Sequence, residues 1–180
     1  MNAYELTLLY RIADLTRPVR PFFAYITHLG DGGIFFIIVG LFFMLFPKTR
    51  KQGFYLLMTL LVGFIAGNLI LKNIVHRTRP FALDPSIVLW IKAPRDYSFP
   101  SGHTLVAFET YFFLHRERYA WIFLVLAILI AVSRMALMVH YPTDILGGIV
   151  LGAVVGLTME RKTRYKLSLI HISEPTRRPG

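Results

Sequence analysis

The sequence predicts an all-α, polytopic membrane helix bundle. Three observations carry this: 55% of the 180 residues are hydrophobic, the mean hydropathy is +0.55, and the apolar residues gather into long runs joined by short basic connections. Both figures are high for an ordinary soluble domain, and the length suits one domain.

The elements follow in chain order. Residues 1–31 mix Leu6, Leu8, Leu9, Ile12, Leu15, Phe22, Phe23 and Ile26 with Arg11, Asp14, Arg17 and Arg20, interrupted by Pro18 and Pro21. This pattern predicts one or two interfacial amphipathic helices rather than a span. It also lacks the basic, apolar, small-residue order of a cleaved leader, so insertion is expected to rely on internal spans. Asp31, between Gly30 and Gly32, is expected to cap the first transmembrane helix.

Crossing the hydrocarbon takes about 20 mostly apolar helical residues, fewer where flanking side chains snorkel or the bilayer thins. Five segments approach that length, 32–46, 54–71, 102–114, 120–139 and 144–159, within a transmembrane domain at 32–166. Basic connections follow the first, third and fifth: Lys48, Arg50 and Lys51; Arg116 and Arg118; Arg161, Lys162, Arg164 and Lys166. All fall on one side, which the positive-inside rule makes cytoplasmic. The opposite face receives the 76–99 loop, which holds Pro80, Pro85 and Pro94 and has Trp90 and Tyr97 at headgroup level. A connection of that length is functional or disordered. The tail, 167–180, has neither a spanning length nor a clear amphipathic period. Its LSLIHISEPTR stretch resembles a translated sequencing adapter, so it is expected to be non-native, and His171 is set aside.

The net charge of +10 is read as basic loops plus an anion site, with the lipid bilayer and no nucleic acid as partner. Oligomeric state is not legible. With no cysteine, thiolate nucleophiles, disulfides and cysteine metal sites are excluded.

Cations and imidazoles in or beside membrane spans are costly and mark function by default. Here they converge on the outer face from three regions. Lys72 and Arg79 offer a mobile point charge and a planar fork for phosphate oxygens. Pro100, Ser101, Gly102 and His103 form a turn entering a helix, where Ser101 and free N–H groups can face an anion with His103 beside it. Arg134 precedes His140 by about a turn and a half, and Asp144 follows His140 at helical spacing; a carboxylate on one imidazole nitrogen leaves the other as an activated nucleophile. Asn68 is read as an interhelical hydrogen-bonding residue. Glu109 is noted without a role, Arg77 and His76 are read as headgroup contacts at best, and His28 and His115 as solvated.

Lys72, Arg79 and Pro80 match K-x6-RP, residues 100–103 match PSGH, and Ser133, Arg134, His140 and Asp144 match SR-x5-H-x3-D. In these motifs the chain resembles the type 2 phosphatidic acid phosphatase family over roughly residues 30–160, with no motif position departing. The resemblance implies a core similar to the vanadium haloperoxidases and a lipid phosphatase needing neither metal nor other cofactor. It implies His140 as nucleophile, Asp144 as its orienting partner and His103 as acid and then base. Lys72, Arg79, Ser101, Gly102 and Arg134 would bind the phosphate. The size resembles bacterial undecaprenyl-diphosphate phosphatases and phosphatidylglycerophosphatase B-like proteins, in a cytoplasmic membrane with the site facing the periplasm or exterior. Undecaprenyl diphosphate is therefore the first expected substrate, with phosphatidylglycerophosphate, phosphatidate and lipid A phosphates as alternatives. A non-enzymatic lipid-binding or transport protein would need no paired imidazoles, and a haloperoxidase-like enzyme no spans.

Overall fold

A computed structural model describes residues 3–173, with side chains described within 4–165. Among the described residues every regular element is helical. Helices α1 (Ala3–Leu15) and α2 (Arg20–Thr27) precede α3 (Ile34–Leu45) and α4 (Arg50–Gly63). The α4 helix runs on through a π-helical stretch, Phe64–Leu71, into α5 (Lys72–Val75); then come α6 (Pro80–Leu83), α7 (Gly102–Leu114), α8 (Ala120–Ala136) and α9 (Pro142–Ser173). Residues 174–180 of the expected tail lie outside the described residues, while α9 reaches Ser173.

Three helical stretches are long and apolar enough to cross a membrane, Arg17–Leu45, Arg50–Leu83 and Pro142–Tyr165, with Ala120–Ala136 shorter. The first is not straight. Asp31 leaves helical geometry, and Gly32 and Gly33 take φ of 57° and 69°, a left-handed bend for which glycine carries no Cβ penalty. Gly33 is the N-cap of α3 and no side chain caps it, so the expectation that Asp31 caps this helix is corrected. Its carboxylate is used elsewhere, as described below. The fourth expected span is also shorter, because α8 stops at Ala136 and Met138 turns the chain at φ 56°.

Helix α7 is central, packed against α9, α8 and α4, while α3 lies on α4 and α2 on α8. Close approach of α7 and α9 depends on glycine: a Cβ at Gly156 would stand 2.6 Å from the Glu109 carbonyl oxygen. Phe36, Leu56, Phe108, Ile130 and Ile145 are among the core residues that fill the centre. The outer faces are apolar as well, with Ile38, Leu41, Phe54, Val125 and Val150 exposed, as lipid contact requires. Exposed Trp90 and Tyr97 at one end and Trp121 and Tyr165 at the other match the aromatic belts of membrane proteins.

The alternating helices bring the starts of α3, α7 and α9 to the same end as the close of α5 and α8. At the other end Gln52 donates to Glu117 at 3.0 Å, and Arg116 and Arg164 meet the buried Glu160. The basic connections thus share one end and the motif residues the opposite one.

Candidate active site

Local rules position most of the motif side chains. Pro80 disfavours helical geometry in the residue before it; Arg79 is accordingly extended (φ −77°, ψ 156°) at the N-cap of α6, with its guanidinium turned inward and 5% exposed. Lys72 follows the π-helical stretch, whose wider turn changes which side chains face the core; it too is 5% exposed. Ser101 caps α7, its Oγ accepting from the Thr104 N–H at 3.4 Å and from the Thr104 hydroxyl at 3.0 Å. That role buries Ser101 completely, so Gly102, and not Ser101, lines the cavity.

The cavity holds about 980 Å³. Lys72, Arg79, His103, Arg134 and His140 all line it, so both imidazoles and all three motif cations face one space. Arg134 is 2% exposed and donates from Nη1 to Thr27 Oγ1 at 2.6 Å, while its Nε has no hydrogen-bond partner among the described residues. Away from these groups the wall becomes Ile37, Leu57, Leu61, Phe64 and Val106. Glu109 lines the same space at 1% exposure, its Oε2 without a partner among the described residues. Asn68 lies against Gly102, where a Cβ would stand 2.8 Å from its Oδ1.

His140 sits in the turn between α8 and α9 at 1% exposure. Arg79 Nη1 lies 3.1 Å from its Nε2. Its Nδ1 is 3.4 Å from Asp144 Oδ2 and 3.5 Å from Ser98 Oγ, both long for direct hydrogen bonds. The Ser98 hydroxyl in turn donates to Asp144 Oδ2, which also accepts the Tyr141 N–H at 2.8 Å. Burial, and then the positive charge of Arg79, Arg134, Lys72 and His103, push His140 well below the ordinary histidine value. The imidazole is held neutral, with a ring lone pair available.

The second imidazole has its own carboxylate. His103 Nε2 is 2.8 Å from Asp31 Oδ1, and the other Asp31 oxygen is 2.7 Å from His28 Nδ1. Gly30 makes room, since a Cβ there would stand 2.5 Å from His103 Cδ2. His28, expected to be solvated, is exposed but engaged.

Asp96 belongs to the loop before α7 and ion-pairs with Lys72 and, at 2.6 Å, with Arg79 Nη2. Its carbonyl accepts from Arg79 Nε at 2.8 Å. Burial works to raise the Asp96 carboxyl, but the hydrogen bond and charge of Lys72, joined by Arg79, outweigh it and hold the group well below the usual carboxylate range.

Four residues at the site escaped the sequence reading: Asp31 as partner of His103, Asp96, Ser98, and Arg77, whose Nη1 donates to Asp144 Oδ1 at 2.6 Å. Arg77 is thus a partner of the motif carboxylate rather than a headgroup contact. The positions of Asp96 and Ser98 just ahead of PSGH are a faint signal; nothing in the spacing singles out Arg77.

A family model described as the PAP2 superfamily matches residues 51–167. The bacitracin transport permease protein BcrC of Bacillus licheniformis is 32% identical, covering 89% of this chain and 80% of its own length. An undecaprenyl-diphosphatase of Sulfolobus acidocaldarius is also 32% identical, over 61% of this chain and 54% of its own. The crystal structure of Aquifex aeolicus LpxE superposes with a TM-score of 0.74 at 26% identity, covering 89% of this chain and 96% of that one.

Proposed function

Since the chain belongs to the PAP2 superfamily and is a membrane phosphatase of that family, we propose that it hydrolyses a lipid diphosphate, undecaprenyl diphosphate first, through a phosphohistidine on His140. The observation that carries this reading is the shared cavity: two imidazoles and three cations at one end, apolar walls beyond. An amphiphile whose head is a phosphate and whose tail is hydrocarbon matches both parts. The undecaprenyl-diphosphatase relative supports the choice of lipid; phosphatidylglycerophosphate, phosphatidate and lipid A phosphates are the alternatives.

In this mechanism Nε2 of His140 attacks the terminal phosphorus in line. The Nε2–P bond forms as the P–O bond to the leaving lipid phosphate breaks, and His103 supplies the proton to that oxygen. Lys72, Arg79 and Arg134 balance the charge spread over the equatorial oxygens, usually the dominant contribution in phosphoryl transfer. Water then attacks the phosphohistidine, His103 takes its proton, and inorganic phosphate leaves with His140 restored. Asp144 and Ser98 hold the Nδ1 side of the nucleophile, and Asp31 holds His103. No step calls on a metal. The site end, opposite the basic connections, faces the periplasm or cell exterior of a bacterial cytoplasmic membrane, where the headgroup enters from the outer leaflet.

The test is release of inorganic phosphate by the purified protein from undecaprenyl diphosphate, phosphatidylglycerophosphate, phosphatidate and lipid A, with EDTA present. Release from undecaprenyl diphosphate at the highest kcat/KM, abolished by His140→Ala, is expected. Loss of activity to the chelator would overturn the metal-free mechanism, and full turnover by His140→Ala would remove the nucleophile.

A further inference from the structure

The Asp144 carboxylate is completely buried, and a buried carboxylate without a paired cation is strongly destabilising. His140 is held neutral and cannot serve. Arg79 is committed to Asp96, the Val139 carbonyl and His140 Nε2. The cation that reaches Asp144 is Arg77, with Nη1 2.6 Å from Oδ1. The two carboxylate oxygens therefore divide their work: Oδ1 takes the arginine, and Oδ2 faces His140 Nδ1 and accepts from Ser98 and Tyr141.

Arg77 is itself held by several further contacts. Its Nη2 donates to Glu5 Oε2 at 2.6 Å and its Nη1 also reaches Thr143 Oγ1 at 2.6 Å. The guanidinium lies over the Tyr141 ring at 4.2 Å from the centroid. The Arg77 carbonyl accepts the Ser98 N–H at 2.8 Å, tying down the other partner of Asp144. Glu5 comes from α1, whose Leu9 and Ala13 pack with Met138 and Tyr141 on either side of His140. The Glu5 carboxylate also accepts from Thr143 at the start of α9.

We infer that Arg77, anchored by Glu5 of α1, is a positioning residue for the Asp144–His140 pair, so that the N-terminal helix supports the nucleophile. The inference rests on the reading of His140 as nucleophile, although its geometry does not. Arg77 sits at a free position of K-x6-RP, so its part comes from the fold and not from the motif.

The charge consequence has a definite sign. Arg77 neutralises part of Asp144, weakening the support that carboxylate gives to a protonated His140. The other groups facing His140 are Lys72, Arg79, Arg134 and His103, all of which oppose protonation, with Asp96 bound to the first two. Removing the Arg77 charge should make His140 more basic. Removing the Glu5 charge leaves Arg77 freer to act on Asp144 and should make it less basic.

Two readouts test this on the full chain in mixed micelles. The first is kcat and KM against pH for the best substrate of the lipid panel; the second is the titration of the His140 ring followed by 15N NMR, which needs no turnover. Arg77→Gln is expected to lower kcat roughly 10- to 100-fold with KM within about twofold, and to move the His140 midpoint to higher pH. Arg77→Lys should recover most of the kcat, and Glu5→Gln should move the midpoint to lower pH. A kcat loss without a midpoint shift, or shifts of the same sign in Arg77→Gln and Glu5→Gln, would overturn the inference. A wild-type protein that releases no phosphate, while Arg77→Gln and Glu5→Gln still move the His140 midpoint up and down as expected, would instead sink the proposed reaction and leave the Arg77 assignment standing.

Discussion

Arg79 Nη1 lies 3.1 Å from Nε2 of His140. An arginine only donates, so Nε2 must present its lone pair and the ring proton must sit on Nδ1, toward Asp144 and Ser98. In the proposed mechanism this contact selects the nucleophilic tautomer, and a phosphate oxygen has to draw the guanidinium away before Nε2 can attack. Arg79→Lys should therefore not rescue the site, because an ammonium lacks the fork that serves Asp96, Val139 and His140 together. We expect kcat/KM for lipid phosphate release to fall about 10²- to 10³-fold in Arg79→Ala, with Arg79→Lys closer to alanine than to wild type. Steady-state kinetics of both variants check this; a fully active lysine variant would reduce Arg79 to a point charge.

Asp96 holds the anion's place between Lys72 and Arg79. On the proposed reaction a phosphate must displace this carboxylate or share its cations, so Asp96 would compete with substrate and product alike. Asp96→Asn should bind orthovanadate and inorganic phosphate more tightly by roughly three- to tenfold, a modest gain because the side chain is half-exposed and screened. Inhibition constants for the two anions measure it. Weaker binding would mean that Asp96 mainly holds the cations in position.

The buried His140 makes stability pH-dependent. Its folded value is lowered well below that of an exposed histidine, which is about 6.5. Below that pH the unfolded chain binds a proton that the folded chain refuses, so this contribution is complete above about pH 6.5 and is lost as pH falls. Asp96, also lowered, has the same sign, but its share fades only below the ordinary carboxylate value of about 3.9. Melting temperatures in detergent should fall between about pH 6.5 and 5, and His140→Gln should flatten that decline. An unchanged slope in the variant would assign the transition to another group.

Because the chain has no cysteine, single introduced thiols report its orientation without background. Val88, 81% exposed in the loop at the site end, should as Val88→Cys react with a membrane-impermeant maleimide in intact cells. Lys48→Cys, at the basic end, should react only after permeabilisation. The reverse labelling would place the phosphate site in the cytoplasm.

The motif residues were legible because each occupies a short, rule-bound stretch: Arg79 before a proline, Ser101 and Gly102 at a helix start, His140 and Asp144 at helical spacing. The apolar runs were legible for the same local reason. Asp31 was misread because a carboxylate between glycines has the form of a cap, and only the bend at Gly32 and Gly33 turns it toward His103. Glu109 stayed without a role in the sequence, and the fold places it on the cavity wall with Oε2 unpartnered among the described residues.

By itself the sequence determined that this is a membrane helix bundle and which side chains carry the three motifs, since hydropathy, turn residues and motif spacing are properties of neighbouring positions. Only the tertiary structure decided which carboxylate His103 receives and which cation Asp144 receives. Asp31 reaches His103 across 72 positions and Arg77 reaches Asp144 across 67, the first from the bend ahead of α3 and the second from the connection between α5 and α6. No periodicity within a helix encodes a pairing between the ends of different ones.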